Sequence, residues 1–486
     1  MKVLFINPAA KKSIEYLTTP LGLLSIASYL EKYGHTVKIF ESALNKGNLA
    51  KVLKDYSPDI VGVSVISGKA FDDAVKLSKI AKSAGKTVVW GGFLPTVMPE
   101  LSLKTGTVDI ISIGEGEYTW LDLLQAIESG DSLYQVKGLA YFEDNHLIRT
   151  PERDLADLAT LPTLNFELLD VDKYFYSYYA SKKTLALYAS KGCPGHCTFC
   201  YNSNFNKSKR RRRPAEQVVE EIIYLSNKYG LECVHFNDDL MFADKEEMYS
   251  LCSVMRATKL KFYWGCSSII GVMGREELQY MYDSGCRWIF YGIESGSKNI
   301  LNKIKKGYRY DGIEQNIADC AEIGITTRAG FILGFPDESE ADLMDTISLA
   351  MRLKTRQITF TYYSITLGSE AYEQLLNQGK FKQPESLHGF TEKYLFNGLT
   401  ENFSNIPDKD LKVVNSYFFL RRLFAKDPVA DQKTNSWRAV TYGFIIKSLL
   451  EFNIEKFIRS TGQFLNVLYF VFCHPKIRRK YGLKLI

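Results

Sequence analysis

The chain has 486 residues, of which 46% are hydrophobic and 24% charged, with a net charge of +6. That length exceeds one ordinary domain and predicts two or three, with ample apolar content for their cores. The charge is too mild to argue for a nucleic-acid partner, and nine cysteines are too sparse for a disulfide framework, so the setting predicted is a reducing, cytoplasmic one. The N-terminal MKVLFINPAA reads as a strand rather than a signal peptide, and no stretch is long enough to cross a bilayer.

In chain order, the first 132 residues alternate strand and helix. Val3–Ile6, Thr36–Phe40, Asp59–Val65, Thr87–Trp90 and Val108–Ile113 are five short strands, with helices such as Pro20–Tyr33 and Phe71–Ala84 between them. Short apolar strands joined by helices predict a parallel, doubly wound, flavodoxin-like α/β domain with ligands at the carboxyl ends of its strands. Residues 133–182 read as a connector, a hairpin (Leu139–Phe142 and His146–Ile148 around Glu143-Asp144-Asn145) followed by a linker. Alternation then resumes over 183–390. Leu185–Ala189, Cys233–Phe236, Phe262–Cys266, Trp288–Ile293, Ala329–Leu333 and Gln357–Thr361 are six strands, the number of a partial (β/α)6 barrel. Residues 391–486 lose the alternation and read as a helical region. Its Phe464–Phe472 stretch, followed by Lys476, Arg478, Arg479 and Lys480, offers an amphipathic surface to lipid or a greasy substrate, although such helices more often cap a barrel.

The segment Cys193-Pro194-Gly195-His196-Cys197-Thr198-Phe199-Cys200 follows the first barrel strand. Three thiolates on one loop can hold three irons of a cubane cluster and leave the fourth iron open. Zinc is the competing reading, but it usually takes four ligands and no matching C-x2-C follows. The C-x3-C-x2-C spacing, with Phe199 before the third cysteine, resembles the radical S-adenosylmethionine (SAM) superfamily. The resemblance implies a 4Fe–4S cluster on Cys193, Cys197 and Cys200 that binds SAM and cleaves it to a 5′-deoxyadenosyl radical. It spans roughly residues 180–380. It implies that Glu294, in Gly292-Ile293-Glu294-Ser295-Gly296-Ser297, holds the ribose hydroxyls, as a carboxylate can. It also implies that Gly330 lets the backbone approach the adenine. Arg328 is either a partner of the SAM carboxylate or a surface arginine. Asp238 or Asp239 stands where relatives contact the SAM ammonium, with helix capping the alternative for Asp239. Ser267 is a further polar candidate at a strand end. Tyr362–Ser369 would face substrate. The basic run Lys209–Arg213 reads as a solvated loop or an anion-facing patch, and no RNA-binding module accompanies it.

The N-terminal half resembles the cobalamin-binding domain found ahead of some radical SAM barrels. Gly22, then Ser64 after 41 intervening residues, then Gly91-Gly92, follow that fingerprint. Leu17 and Thr19 occupy its Asp and His positions, so the histidine that ligates cobalt from below is missing. Either cobalamin binds without it, or the domain has kept the fold and lost the corrin. Glu115, in Gly114-Glu115-Gly116-Glu117, would face the barrel at the domain interface. The family resembled includes anaerobic tetrapyrrole cyclases and cobalamin-dependent methyltransferases. It implies methyl transfer to an unactivated carbon of a small, hydrophobic substrate, with an external electron donor. The alternatives are a radical cyclase, rearrangement or oxidation enzyme without corrin, and a non-catalytic iron–sulfur protein.

Overall fold

The computed structural model describes residues 1–9, 17–45, 48–66, 68, 70–179, 181–307, 311–355, 357–388, 391, 401–424 and 467–483. Its first sheet contains β1 (Lys2–Asn7), β2 (Thr36–Glu41), β3 (Ile60–Ser64), β4 (Thr87–Gly91), β5 (Ile110–Ser112), β6 (Leu139–Glu143) and β7 (His146–Arg149), in the order β2-β1-β3-β4-β5-β6-β7. β1 to β5 are parallel in the flavodoxin-like order. Val3, Leu4, Phe5 and Ile6 are all buried because helices cover both faces of the central strand. The helix Leu21–Lys32 buries Leu23, Leu24, Ala27 and Leu30 on one side, and the chain leaves it through Gly34 at φ +84°. The predicted hairpin forms but is not a connector. β6 pairs antiparallel with β5 and extends the sheet to seven strands, because β5 would otherwise expose its outer backbone groups.

The second sheet is the predicted half-barrel. β8 (Tyr176–Tyr178) and β9 (Ser181–Leu187) precede a two-stranded ribbon, β10 (Ser190–Lys191) with β11 (Arg211–Arg212). β12 (Cys233–Phe236), β13 (Tyr263–Ser268), β14 (Cys286–Glu294), β15 (Thr326–Leu333) and β16 (Gln357–Tyr362) follow. The order is β16-β15-β14-β13-β12-β9-β8, with six parallel strands and an antiparallel β8 on one edge. Leu185, Val234, Phe236, Cys266, Ile289, Ile293, Ala329 and Phe331 pack into one helix-covered core. The alternate residues, His235, Ser267, Trp288, Phe290, Glu294, Arg328 and Gly330, therefore line the concave side.

The described part of the C-terminal region caps the barrel. The helix Asp408–Phe424 packs on β16, with Phe418 against Phe360 at 4.5 Å between centroids. The helix Pro475–Lys480 is tied to it where Tyr481 donates to Asp410 at 2.9 Å. Residues 464–466 of the expected amphipathic stretch lie outside the described residues. No helix among the described residues is long and apolar enough to cross a membrane.

Candidate active site

The cysteine loop leaves the carboxyl end of β9, and the ribbon β10–β11 closes its base. Cys193 is held at both backbone groups by Asn202, which accepts from its N–H at 3.0 Å and donates to its carbonyl. Thr198 N–H donates to the Ile304 carbonyl at 3.0 Å, and the Thr198 carbonyl accepts from Ala371 at 2.8 Å. The sulfurs of Cys193 and Cys197 both lie within 4 Å of the point where a Gly195 side chain would begin, at 3.3 and 3.9 Å. All three thiols are half-buried and uncombined, and burial raises their pKa, that of Cys200 to about 11. Iron would replace those protons. Among the described residues no trio of His, Cys, Asp or Glu gathers around a single ion.

Glu294 ends β14 in the left-handed region at φ +67°, across a register shift against β15. The turn aims its carboxylate back along the barrel wall, where Lys306 Nζ meets Oε1 at 2.8 Å. A Cβ on Gly292 would stand 2.4 Å from that oxygen, so a side chain there would displace the Glu294 carboxylate. Burial would lower the Lys306 pKa, but Glu294 and the thiols of Cys197 and Cys193 outweigh it and hold the ammonium above its ordinary value. Sequence reasoning passed over Lys306, because Lys305-Lys306-Gly307 reads as a surface turn; Lys305 is indeed exposed on Glu370.

The two aspartates after β12 separate clearly. Asp238 is buried and accepts from the N–H groups of Ala189 and Ser190 and from the Ser190 hydroxyl. Desolvation pushes its pKa up to about 7. It braces the start of the cysteine loop and does not face a ligand, which corrects the ammonium reading for that residue. Asp239 is exposed on the open side, accepting from Gly192 N–H at 2.9 Å and from the Tyr201 hydroxyl. Ser267 lies on the concave face beside Phe290 in register. The missing side chain of Gly330 is replaced by the Phe290 ring, 2.7 Å from where a Cβ would sit, so protein rather than open space lies against it. Phe199 packs on Phe335 at 5.5 Å beside a cavity of about 180 Å³ that Tyr363 also lines. Arg328 lies lower in the barrel, over Phe290 and away from the cysteine loop.

A second cavity, of about 260 Å³, opens between the domains. Gly22, Ser64, Gly91, Gly92, Gly114 and Glu115 line one side, and Lys191, Tyr201, Phe205, Asn206 and Asp239 the other. The residues singled out for corrin binding are thus gathered at one place. Gly92 (φ +105°) passes so close to Val65 that a Cβ would lie 2.9 Å from its carbonyl oxygen. Ser112, also on the wall, has a buried hydroxyl without a partner, and so has Thr19, in the position of the absent histidine. No histidine is among the residues lining the cavity. Small residues and an unsatisfied hydroxyl fit the buried tail of a corrin.

The Glu115 carboxylate, by contrast, is fully engaged. Arg211 meets it at 2.6 and 2.9 Å, Ala156 N–H at 2.9 Å and Lys191 at 3.5 Å. Lys191 also bonds Glu117 at 2.7 Å, and Glu117 accepts from Ser25 at 2.6 Å. Arg210 on Glu247 and Arg213 on Glu221 are held in the same way, whereas Lys209 and Arg212 are exposed. The run is thus part ion-paired scaffold and part solvated loop.

A doubly wound domain whose glycine-lined cavity faces a half-barrel with three cysteines at a strand end defines a radical SAM enzyme with a B12-binding domain. Residues 187–350 match the radical SAM superfamily, and residues 9–124 match the B12 binding domain. The chain is 30% identical over 384 residues to the "uncharacterized methyltransferase PH0819" of Pyrococcus horikoshii, covering 77% of this chain and 83% of that protein. It is 26% identical over 392 residues to the anaerobic magnesium-protoporphyrin IX monomethyl ester cyclase of Rubrivivax gelatinosus, covering 77% and 70%. The solved structure of the radical SAM methyltransferase TsrM from Kitasatospora setae, with cobalamin and a [4Fe-4S] cluster bound, has the same fold, with a TM-score of 0.65, 17% identity and coverage of 78% and 75%. The chain belongs to the cobalamin-binding radical SAM family. It is a radical SAM enzyme whose cofactors are a 4Fe–4S cluster, SAM and cobalamin, and the methyltransferase relative is nearer to it than the cyclase.

Proposed function

We propose that this enzyme methylates an unactivated carbon of a small, largely apolar molecule in a reducing cytoplasm, drawing electrons from an external donor. The observation that carries the reading is the cavity shared by the glycine turns of the first domain and by Tyr201, Phe205 and Asp239 beside the cysteine loop, where a corrin and a substrate can meet. When bound, the cluster supplies the electron that cleaves SAM to methionine and a 5′-deoxyadenosyl radical, and cobalamin supplies the methyl group. Cys193, Cys197 and Cys200 would hold three irons. Glu294 accepts the two ribose hydroxyl hydrogens, Lys306 offers its ammonium to the SAM carboxylate, and Asp239 takes the SAM ammonium. Phe199 and Phe335 give the adenine an apolar wall. Tyr201, edge-on to Phe93 at 5.6 Å, keeps bulk water from the join between the domains. All nine cysteines are free, in keeping with a reducing compartment.

The test is anaerobic reconstitution with iron, sulfide and cobalamin, followed by SAM and reductant. The wild type should retain extractable corrin and release deoxyadenosine, and Cys197→Ala should release none. Turnover persisting in that variant refutes the cluster assignment. An intact cluster with no retained corrin refutes methyl transfer and leaves the cyclase-type alternative.

A further inference from the structure

The positive charge of the chain is not spread evenly along it. Residues 1–455 carry 54 lysines and arginines against 55 acids and are close to neutral. Residues 456–486 carry seven lysines and arginines and no aspartate or glutamate. A one-signed stretch in an otherwise balanced chain points to an anionic partner.

Four of the seven, Lys476, Arg478, Arg479 and Lys480, belong to the helix Pro475–Lys480. Residues 467–472, just before it, are also helical. Both pieces turn one side inward, where Val471, Ile477 and Tyr481 pack on the helix-covered core of the barrel sheet. The other side faces solvent. There Tyr469 and Phe472, three apart and so on one helix face, are 53% and 54% exposed. An adjacent pair of exposed aromatic rings is the kind of apolar patch a partner covers.

The cations beside them are not all available. Lys480 is held by Glu340 at 2.5 Å and by Asp410 at 3.0 Å, and Arg478 is half-buried. Lys476 and Arg479 are exposed and pair with no described residue. None of Tyr469, Phe472, Lys476 and Arg479 lines either cavity described above, so the partner they suit is an extended surface rather than a small molecule. Aromatic rings with free cations next to them match the boundary of an anionic bilayer. The rings sink among the headgroups and the cations meet lipid phosphates.

We infer that the face formed by Tyr469, Phe472, Lys476 and Arg479 docks this protein on an anionic lipid surface. No helix among the described residues can span a bilayer, so these residues attach peripherally. The inference goes beyond the chemistry proposed for the barrel and does not depend on it. One segment serves two purposes, its inward side closing the barrel and its outward side meeting lipid.

The test is cosedimentation of the full-length holoenzyme, kept anaerobic, with vesicles of phosphatidylcholine alone and of an equal mixture with phosphatidylglycerol. Wild type should sediment with the mixed vesicles and not with the neutral ones, and should be released as salt is raised. Lys476→Gln with Arg479→Gln should weaken partitioning roughly 25-fold, at about fivefold per charge. Tyr469→Ser with Phe472→Ser should weaken it at least about tenfold. All four side chains face solvent, so the unfolding temperature and deoxyadenosine release from SAM in solution should match wild type in both double variants. Wild type that stays in the supernatant with mixed vesicles overturns the inference, whether or not the variants fold. So does equal sedimentation with neutral vesicles, or partitioning that survives the Lys476 and Arg479 changes. Vesicle binding that survives the loss of both aromatic rings reduces the face to a patch for any polyanion and overturns it as well. Binding of bulk transfer RNA by wild type that ignores mixed vesicles makes the partner a nucleic acid instead.

Discussion

Replacing Lys191 with Met should loosen the join between the two domains. Lys191 Nζ lies 2.7 Å from Glu117 and 3.5 Å from Glu115, whose side chains are 2% and 7% exposed. Removing one partner from a buried pair usually costs 3–5 kcal/mol, chiefly because the other charge stays buried. Here the lower end applies, about 3 kcal/mol, since Ser25 still donates to Glu117 and Arg211 still holds both oxygens of Glu115. For a domain of this size that is a fall in Tm of roughly 6–12 °C. Thermal and urea unfolding of Lys191→Met, Glu117→Gln and the double variant would measure it. The double variant should be more stable than Lys191→Met alone, because it no longer buries an unpaired carboxylate. A single variant within about 0.5 kcal/mol of wild type, or costs that simply add, would refute the reasoning.

Other expectations concern the two cofactor sites. Gly292→Ala places a methyl 2.4 Å from the Glu294 carboxylate, so the SAM concentration for half-maximal deoxyadenosine release should rise about tenfold with the fold intact by circular dichroism. Gly92→Ala meets the Val65 carbonyl at 2.9 Å with φ at +105°, and should cost about 1–2 kcal/mol and reduce the corrin that survives gel filtration. Glu338 is buried under the Gly334 turn, accepting from Gly334 and Phe335 N–H at 2.7 and 3.2 Å, and desolvation raises its pKa to about 7. Its protonated form is favoured in the folded state, so its contribution is full below the unfolded pKa near 4.5 and is lost as pH rises through 7. Glu338→Gln should flatten stability against pH between those values, and an unchanged slope in urea titrations would contradict it.

The readable parts of the sequence were those governed by local pattern. Val3–Ile6 and Asp59–Val65 announce buried parallel strands through unbroken apolar runs, and three cysteines within eight residues leave few chemistries open. The spacing of Gly22, Ser64 and Gly91-Gly92 likewise survived folding as one cavity wall. What escaped depended on partners distant in the chain. Arg211 reads as one of five consecutive basic residues until Glu115, 96 positions away, closes on it. Asp238 and Asp239 are chemically identical neighbours, and only the alternation of sides along the chain after β12 sends one under the loop and the other into the open. The hairpin was visible, but its choice of β5 as neighbour follows from which sheet edge was vacant.

The ribbon β10–β11 has a consequence for how the enzyme matures. It fastens the chain immediately before Cys193 to the chain after the loop, pairing Lys191 with Arg211 and Ser190 with Arg212. Asn202 fixes the first cysteine from within. The loop that would carry the iron is therefore tied by hydrogen bonds among protein atoms that do not involve the cysteine sulfurs. Chelation or oxygen damage should bleach the protein without unravelling it, and the same polypeptide should accept a fresh cluster.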